Sequence, residues 1–221
     1  MTRILAIFTC YNRRELTERG IRTLRENEEV TFDYVIVNDG STDGTNEMLA
    51  ALPDQIDVVQ GDGGLFWNRG MHLAIEYAKE HYPDYEYYML MNDDTNFFPG
   101  VFDRMLPPLK RDEVKIGAIC GEQGELSYGG IKYTKGIRYK KMGPEAVDVS
   151  FDTFNANCAV IPHDIFVKAS IDPFYQHSIG DFDYGLSIHK MGYDIRIFSE
   201  YVGECNDNTL QKTWQDETLP R

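Results

Sequence analysis

The sequence predicts an α/β fold, an open and mostly parallel β-sheet with helices on both faces. Three observations carry that expectation. Short apolar runs alternate with amphipathic patterns through the first half of the chain. Three of those runs end in polar clusters, the usual position of a ligand site in such sheets. The composition, 42% hydrophobic and 26% charged over 221 residues, belongs to a globular chain with material for a sizeable core.

Taken in order, residues 4–9 read as a buried first strand. Residues 14–28 read as a helix whose inner face includes Leu16, Ile21 and Leu24. Residues 34–38 form a second strand, followed by the turn Asp39-Gly40-Ser41-Thr42-Asp43-Gly44. A helix over 45–52 turns Met48, Leu49 and Leu52 to one side, and Val58 and Val59 mark a third strand. After the glycine-rich stretch 61–70, Met71, Ala74, Ile75 and Ala78 recur at helical spacing. The fourth strand, 87–91, ends in Asn92-Asp93-Asp94. Alternating strands and helices imply right-handed crossovers, so the clusters after strands one, two and four should meet at one sheet edge.

The second half is less regular. The stretch 129–141 alternates as a surface β-hairpin, and 154–161 reads as one buried strand. Pro162 then starts a short helix. A helix over 181–191 closes at Gly192, and 194–198 forms a last strand. No repeat or linker interrupts the chain. It is therefore expected to be one domain over 1–221.

Charge and cysteines narrow the function. The formal charge of -14 opposes non-specific nucleic-acid binding, because no excess of cations is available to displace phosphate counterions. No run approaches the roughly 18 apolar residues that span a bilayer. The run after Arg3 is too short, and lacks the cleavage site, for a signal peptide. Cys10, Cys120, Cys158 and Cys205 form no CxxC pair, which fits reduced thiols and a cytoplasmic location.

Asp93 and Asp94, adjacent at a strand end, make a place for a hard cation such as Mg2+ or Mn2+, which would bridge to a diphosphate. The same triplet also fits an Asx turn that ends the strand. Asp39 could accept a hydrogen bond from the ring N–H of uracil or thymine, or it could simply belong to a glycine-bearing turn ahead of a capped helix. Tyr11 offers a face for base stacking. Arg69 could reach a phosphate or base, and Phe66 and Trp67 fit either donor-pocket walls or loop anchors. Asp181, read alone, suits a helix start, where Asp is favoured. His72 lies near the glycine stretch, where it reads either as a diphosphate contact or as a half-buried helix residue.

In this order and at these strand ends, the clusters Thr9-Cys10-Tyr11-Asn12-Arg13, Asn38-Asp39-Gly40-Ser41-Thr42-Asp43-Gly44 and Asn92-Asp93-Asp94, together with Gly180-Asp181-Phe182-Asp183-Tyr184-Gly185-Leu186, resemble the GT-A fold glycosyltransferases of family 2. The resemblance runs from Arg3 to about Trp214, and it implies a nucleotide-binding half near 1–98 and an acceptor and catalytic half near 99–221. It implies that Thr9, Tyr11, Asp39 and Arg69 contact the base or nucleoside. Arg13, in the first-strand motif, joins them as a donor-binding candidate. It further implies that Asp93 faces the ribose, that Asp94 ligates the metal with Asp93 beside it, and that Asp181 takes the acceptor proton. Asp183 would position the acceptor or support Asp181.

The implied activity is inverting, metal-dependent transfer from a UDP- or dTDP-sugar to a hydroxyl of a glycan or lipid-linked sugar acceptor, in polysaccharide or glycan synthesis, with a lean toward rhamnosyl transfer. Gly180 stands where many relatives carry Glu, and Ser187 where many carry Arg. The stretch 203–208 lacks their metal-binding His, leaving Cys205 and Asp207 as candidate third ligands. These departures keep open a non-catalytic nucleotide- or carbohydrate-binding module. A sugar-phosphate nucleotidyltransferase would need a basic, glycine-rich loop after the first strand, which Asn12-Arg13-Arg14-Glu15 does not supply. The chain is also short enough to be one part of a longer protein.

Overall fold

The computed structural model describes residues 1–107, 109–176 and 179–205. Its first half alternates as expected: β1 (Thr2–Cys10), α1 (Arg14–Leu24), β2 (Val30–Asn38), α2 (Thr45–Ala51), β3 (Ile56–Gln60), α3 (Phe66–His81) and β4 (Tyr87–Met91). Then follow β5 (Asn96–Phe97), α4 (Val101–Met105), β6 (Glu113–Cys120), β7 (Leu126–Tyr128), β8 (Gly130–Lys135) and β9 (Arg138–Met142). The described chain closes with β10 (Thr153–Phe154), β11 (Cys158–Pro162), α5 (His163–Phe166), α6 (Gly180–Lys190) and β12 (Asp194–Glu204).

The main sheet runs β3-β2-β1-β4-β11-β6-β12-β5, with β7 beside β6, and the fold is α/β as the sequence predicts. From β3 to β4 every pairing is parallel, as is β6 with β12, while β11 enters antiparallel between β4 and β6. Parallel strands need helical crossovers, which cover both faces. That is why β1 is buried at every position from Ile4 to Cys10, and β4 throughout. The core gathers Ile4, Phe8, Val35, Ile36, Leu90 and Ile161, and against it α3 lays Met71, Ala74, Ile75 and Ala78. Tyr88 and Phe166 stack 3.8 Å apart beneath β4. Burial of this kind stabilises by about 25 cal/mol per Å2 of apolar surface.

Several expectations are corrected. The helix expected over 14–28 stops at Leu24, because Asn27 Nδ2 donates to the Leu24 carbonyl and Asn27 Oδ1 accepts from the Phe102 amide. The single strand expected over 154–161 is two. Asn155-Ala156-Asn157 turns the chain from β10, in a second sheet ordered β10-β8-β9, to β11 in the main sheet. Pro162 ends β11 and caps α5. The last strand runs on to Glu204, with register shifts after Ile197. Between Asn92 and Gly129 the sequence reading placed nothing, yet four elements lie there. The longest, β6, hides its strand character behind Glu113, Lys115 and Gly117. A Cβ at Gly117 would come 2.2 Å from Val202 Cγ2, so the strand keeps a residue of poor β-propensity.

One close approach fixes α6 on the second sheet. A Cβ at Gly185 would lie 2.9 Å from the Thr153 Cα, a backbone atom, and 2.3 Å from its hydroxyl oxygen. Gly185→Ala would gain about 1 kcal/mol of helix propensity, but overpacking against a strand costs about 1–3 kcal/mol. Overpacking should match or exceed the gain, and urea unfolding should show a net loss of up to about 2 kcal/mol. An alanine variant more stable than the parent would refute this packing.

Candidate active site

Three loops meet at the carboxyl ends of β1, β2 and β4. The first two are laced together. Asn12 N donates to Ser41 Oγ at 2.9 Å, Asn12 Oδ1 accepts from the Thr42 amide at 2.7 Å, and Asp43 Oδ2 accepts from the Arg14 amide at 2.9 Å. Asp43 Oδ1 also accepts from the Thr45 hydroxyl, so one carboxylate serves the starts of both α1 and α2. These bonds, the hydroxyl of Thr45 foremost, hold the Asp43 carboxyl below its usual range.

Asp39 is buried, and its two oxygens organise the glycine-rich loop. Oδ1 accepts from the Gly63 amide at 2.8 Å, and Oδ2 from the amides of Leu65 and Phe66 at 3.0 Å each. A Cβ at Gly61 would meet Asp39 Oδ1 at 2.5 Å, so the loop closes only with glycine there. A carboxylate has about four acceptor positions. Three are taken by the loop amides, which leaves one on Oδ1 outside these bonds.

The acidic turn lies beside this loop. Trp67 Nε1 donates to Asn92 Oδ1 at 2.9 Å, tying the start of α3 to it. Arg13 Nη1 sits between the carboxylates, 2.7 Å from Asp94 Oδ2 and 3.3 Å from Asp93 Oδ1. The other oxygens, Asp93 Oδ2 and Asp94 Oδ1, are buried with no hydrogen-bond partner among the described residues. An unpaired buried polar atom costs about 1–3 kcal/mol, and more when charged, so this pair has unmet demand for a donor or a cation. Burial, followed by the charge of Asp94, pushes Asp93 up to about 7 against the pull of Arg13. Two inward carboxylates with free oxygens fit a hard divalent ion. No group of three acidic, His or Cys side chains that could hold a metal occurs among the described residues. Cys205 faces Asp94, but burial and the Asp94 charge hold its thiol well above the usual range, which suits a neutral thiol rather than a thiolate ligand. Asp207 lies outside the described residues, as does Trp214.

The other sequence-derived candidates are placed as follows. Thr9 is buried; its hydroxyl donates to the Val37 carbonyl at 3.1 Å, and a Cβ at Gly70 would come 2.5 Å from its Oγ1. Tyr11 is exposed. Arg69 turns toward the segment before α6, where its Nε donates to the Pro173 carbonyl at 3.3 Å, rather than toward Asp39. His72 Nδ1 meets the Ile171 carbonyl at 2.7 Å in the same segment. Asn68, missed in the sequence, is fully buried and donates through Nδ2 to the carbonyls of Asp172 and Tyr175 at 2.7 Å each. Its signal was a polar residue at a core-facing position of α3. The helix that frames the glycine loop thereby also holds the segment leading to Asp181.

Asp181 opens α6, with Asp183 one place beyond Phe182. Asp181 Oδ1 accepts from the Phe182 amide at 2.9 Å and Oδ2 from the Ala156 amide at 3.3 Å. Burial raises it to about 6, against the pull of those amides and of Asn155. Residues Asn155 and Ala156 were also missed, since the turn between β10 and β11 was read as strand. Gly180 has a packing reason: a Cβ there would fall 1.4 Å from Asn68 Oδ1. Two clefts of about 310 and 600 Å3, one lined by Pro83–Glu86 and Pro162–Asp164 and the other by Thr2, Glu29 and Tyr87, lie at the opposite strand ends. Neither gathers the residues above.

Asp39→Asn should loosen the glycine loop. An amide nitrogen cannot accept, so bonds to Leu65 and Phe66 or to Gly63 are lost, at a cost of about 2 kcal/mol. Hydrogen exchange at these three amides should quicken. Unchanged exchange would show that Asp39 does not hold the loop.

Residues 6–167 match the family described as Glycosyl transferase family 2. A poly-beta-1,6-N-acetyl-D-glucosamine synthase of Staphylococcus aureus is 28% identical over 118 residues, 53% of this chain and 28% of that synthase. A mannosyltransferase from Pyrobaculum calidifontis, solved with GDP-Man and Mn2+, superposes with a TM-score of 0.60 at 15% identity over 96% of this chain and 58% of its own. S. aureus TarS 1-349 with UDP-GlcNAc gives 0.62 at 13% identity, over 95% and 59%. The chain thus spans less than two thirds of the proteins it matches, and the solved structures speak for the fold.

Proposed function

The chain belongs to glycosyl transferase family 2, and from that premise we propose that it transfers a sugar from a uridine diphosphate donor to a hydroxyl acceptor with inversion. The observation that carries this reading is the Asp93–Asp94 pair with its two unpaired buried oxygens, set at the same sheet edge as the Asp39 loop. Asp39 has one acceptor position left for the ring N–H of uracil, and Tyr11 offers an exposed ring for stacking. The TarS complex with UDP-GlcNAc and the N-acetylglucosamine synthase make UDP-N-acetylglucosamine the first donor to assay.

Asp94 and Asp93 would hold Mn2+ or Mg2+, which when bound neutralises charge on a departing diphosphate. Arg13, which lies between the two carboxylates, would supply a cation for the donor phosphates. On the acceptor side, Asp181 takes the hydroxyl proton while the acceptor oxygen bonds to the anomeric carbon and the nucleoside diphosphate leaves from the opposite face. The donors that hold Asp181, Phe182 N and Ala156 N, fix its direction. Asp183 is assigned to positioning the acceptor.

The Asp181 carboxyl is raised, so its basic form is lost as pH falls through about 6. The acid limb of the kcat/KM profile should therefore break near 6 rather than near the ~3.9 of a free aspartate. Asp181→Asn should lower kcat by about 10^2–10^4 while leaving UDP affinity unchanged. Surviving turnover would reassign the base.

Melting with UDP, dTDP and GDP, each with and without Mn2+, tests the donor. A ligand at 100 times its Kd adds about 2.7 kcal/mol of stability. The expected result is a metal-dependent shift with UDP or dTDP. A shift with GDP alone would remove the uracil contact from the reading, and no shift at all would favour a module that no longer binds donor.

A further inference from the structure

We propose that the β8–β9 hairpin docks the protein on an anionic membrane surface, its cations meeting acidic headgroups and its tip, Ile137, entering the interface. The stretch from Ile131 to Gly143 holds Lys132, Lys135, Arg138, Lys140 and Lys141, five of the chain's 22 basic residues, and none of its 36 acidic ones. In a chain of formal charge -14, that is a strong local reversal.

The register makes the reversal costly to the fold. Lys132 stands opposite Lys140, and Lys135 opposite Arg138. Like charges directly across a ladder destabilise it, and two such pairs in one hairpin suggest an anionic partner outside the fold. Only part of the charge is met internally. Lys132 Nζ reaches Asp152 Oδ1 at 2.7 Å, and Lys141 donates to the Ser127 carbonyl and lies over the Tyr128 ring. Lys135, Arg138 and Lys140 are exposed and form no ion pair with a described residue.

The two tyrosines of the hairpin share one face, which touches α6 while Tyr139 stays 48% exposed. Tyr139 meets Tyr133 at 6.2 Å and Phe182 at 5.6 Å, both edge to face, which seats the hairpin beside Asp181. Arg138 and Lys140 flank Tyr139 and so lie on the other face of the strand. At the turn, Gly136 takes a φ of +59 and Ile137 is 92% exposed. A soluble polyanion would have no use for an isoleucine there, whereas an amphipathic, cationic tip suits a headgroup layer. The remaining negative charge does not forbid contact, because charges beyond about 8 Å are screened at physiological salt.

The proposal is independent of the transferase reading, since it is tested as binding rather than turnover. The full chain is sedimented with vesicles of neutral phosphatidylcholine alone, or with about one lipid in three replaced by phosphatidylglycerol. Binding is expected only to the anionic vesicles, and it should weaken as salt rises. Each basic side chain near such a surface adds about fivefold in partitioning. Lys135→Gln, Arg138→Gln and Lys140→Gln together should therefore cost about a hundredfold, with no loss in the urea midpoint. Ile137→Ser, which leaves charge unchanged, should cost about fivefold. Binding that ignores these changes, equal binding to neutral vesicles, or no vesicle binding at all would overturn the proposal. So would hairpin-dependent binding to inorganic polyphosphate with none to vesicles, which would assign the surface to a soluble polyanion.

Discussion

The parallel pairing of β1 with β2 on one side and β4 on the other is the constraint on which the site depends. Cys10 lies opposite Asn38, and Ile7 opposite Leu90, so three strands end at nearly one level. Whatever follows those ends must share one edge. The loops use that closeness twice over. Asn12 and Asp43 stitch the first two together, and Arg13 reaches across β1 to the carboxylates that follow β4. Had any of the three strands paired antiparallel, its polar cluster would lie at the far edge.

Much of this was legible because the physics is local. Burial on both faces makes a central parallel strand an unbroken apolar run, and α3 shows its core face as Met71, Ala74, Ile75 and Ala78. The acidic turn after β4 and the glycine loop could be read from residue type and place. Contacts that are long-range in sequence could not. Nothing in the pattern shows that Asp39 gathers the amides of Gly63, Leu65 and Phe66, or that Arg69 points to Pro173. The segment from Asn92 to Gly129 was missed because its strands are short or carry charges. Glu113 is buried, yet Lys110 and Lys115 lie 3.6 and 3.4 Å away, and such a pairing is invisible to hydrophobic periodicity.

The most informative misreading concerns Asn155 to Asn157. Taken as strand, these residues are only a continuation of the core. As a turn between two sheets they aim the Ala156 amide at Asp181, and Asn155 adds a side-chain contact to the same carboxylate. Phe182 supplies the second amide. A carboxylate so held keeps its direction, while the surrounding burial lifts its proton affinity. The two effects oppose each other in energy, and burial wins, which leaves a carboxylate that is ionised at neutral pH and binds a proton more tightly than an exposed aspartate does.

Gly180 and Asn68 are best understood together. Asn68 reaches from α3 to the carbonyls of Asp172 and Tyr175, and so carries the glycine-loop helix to the segment that precedes Asp181. Its Oδ1 then occupies the space that any side chain at position 180 would need, 1.4 Å from a Cβ built there. A glutamate at 180 and a buried asparagine at 68 are mutually exclusive in this packing. Gly180 and Asn68 are therefore two halves of one packing arrangement. Through Asn68 it joins α3, which frames the glycine loop, to the segment that precedes Asp181. A side chain at 180 would displace the amide that makes both of those bonds, so packing alone requires glycine there.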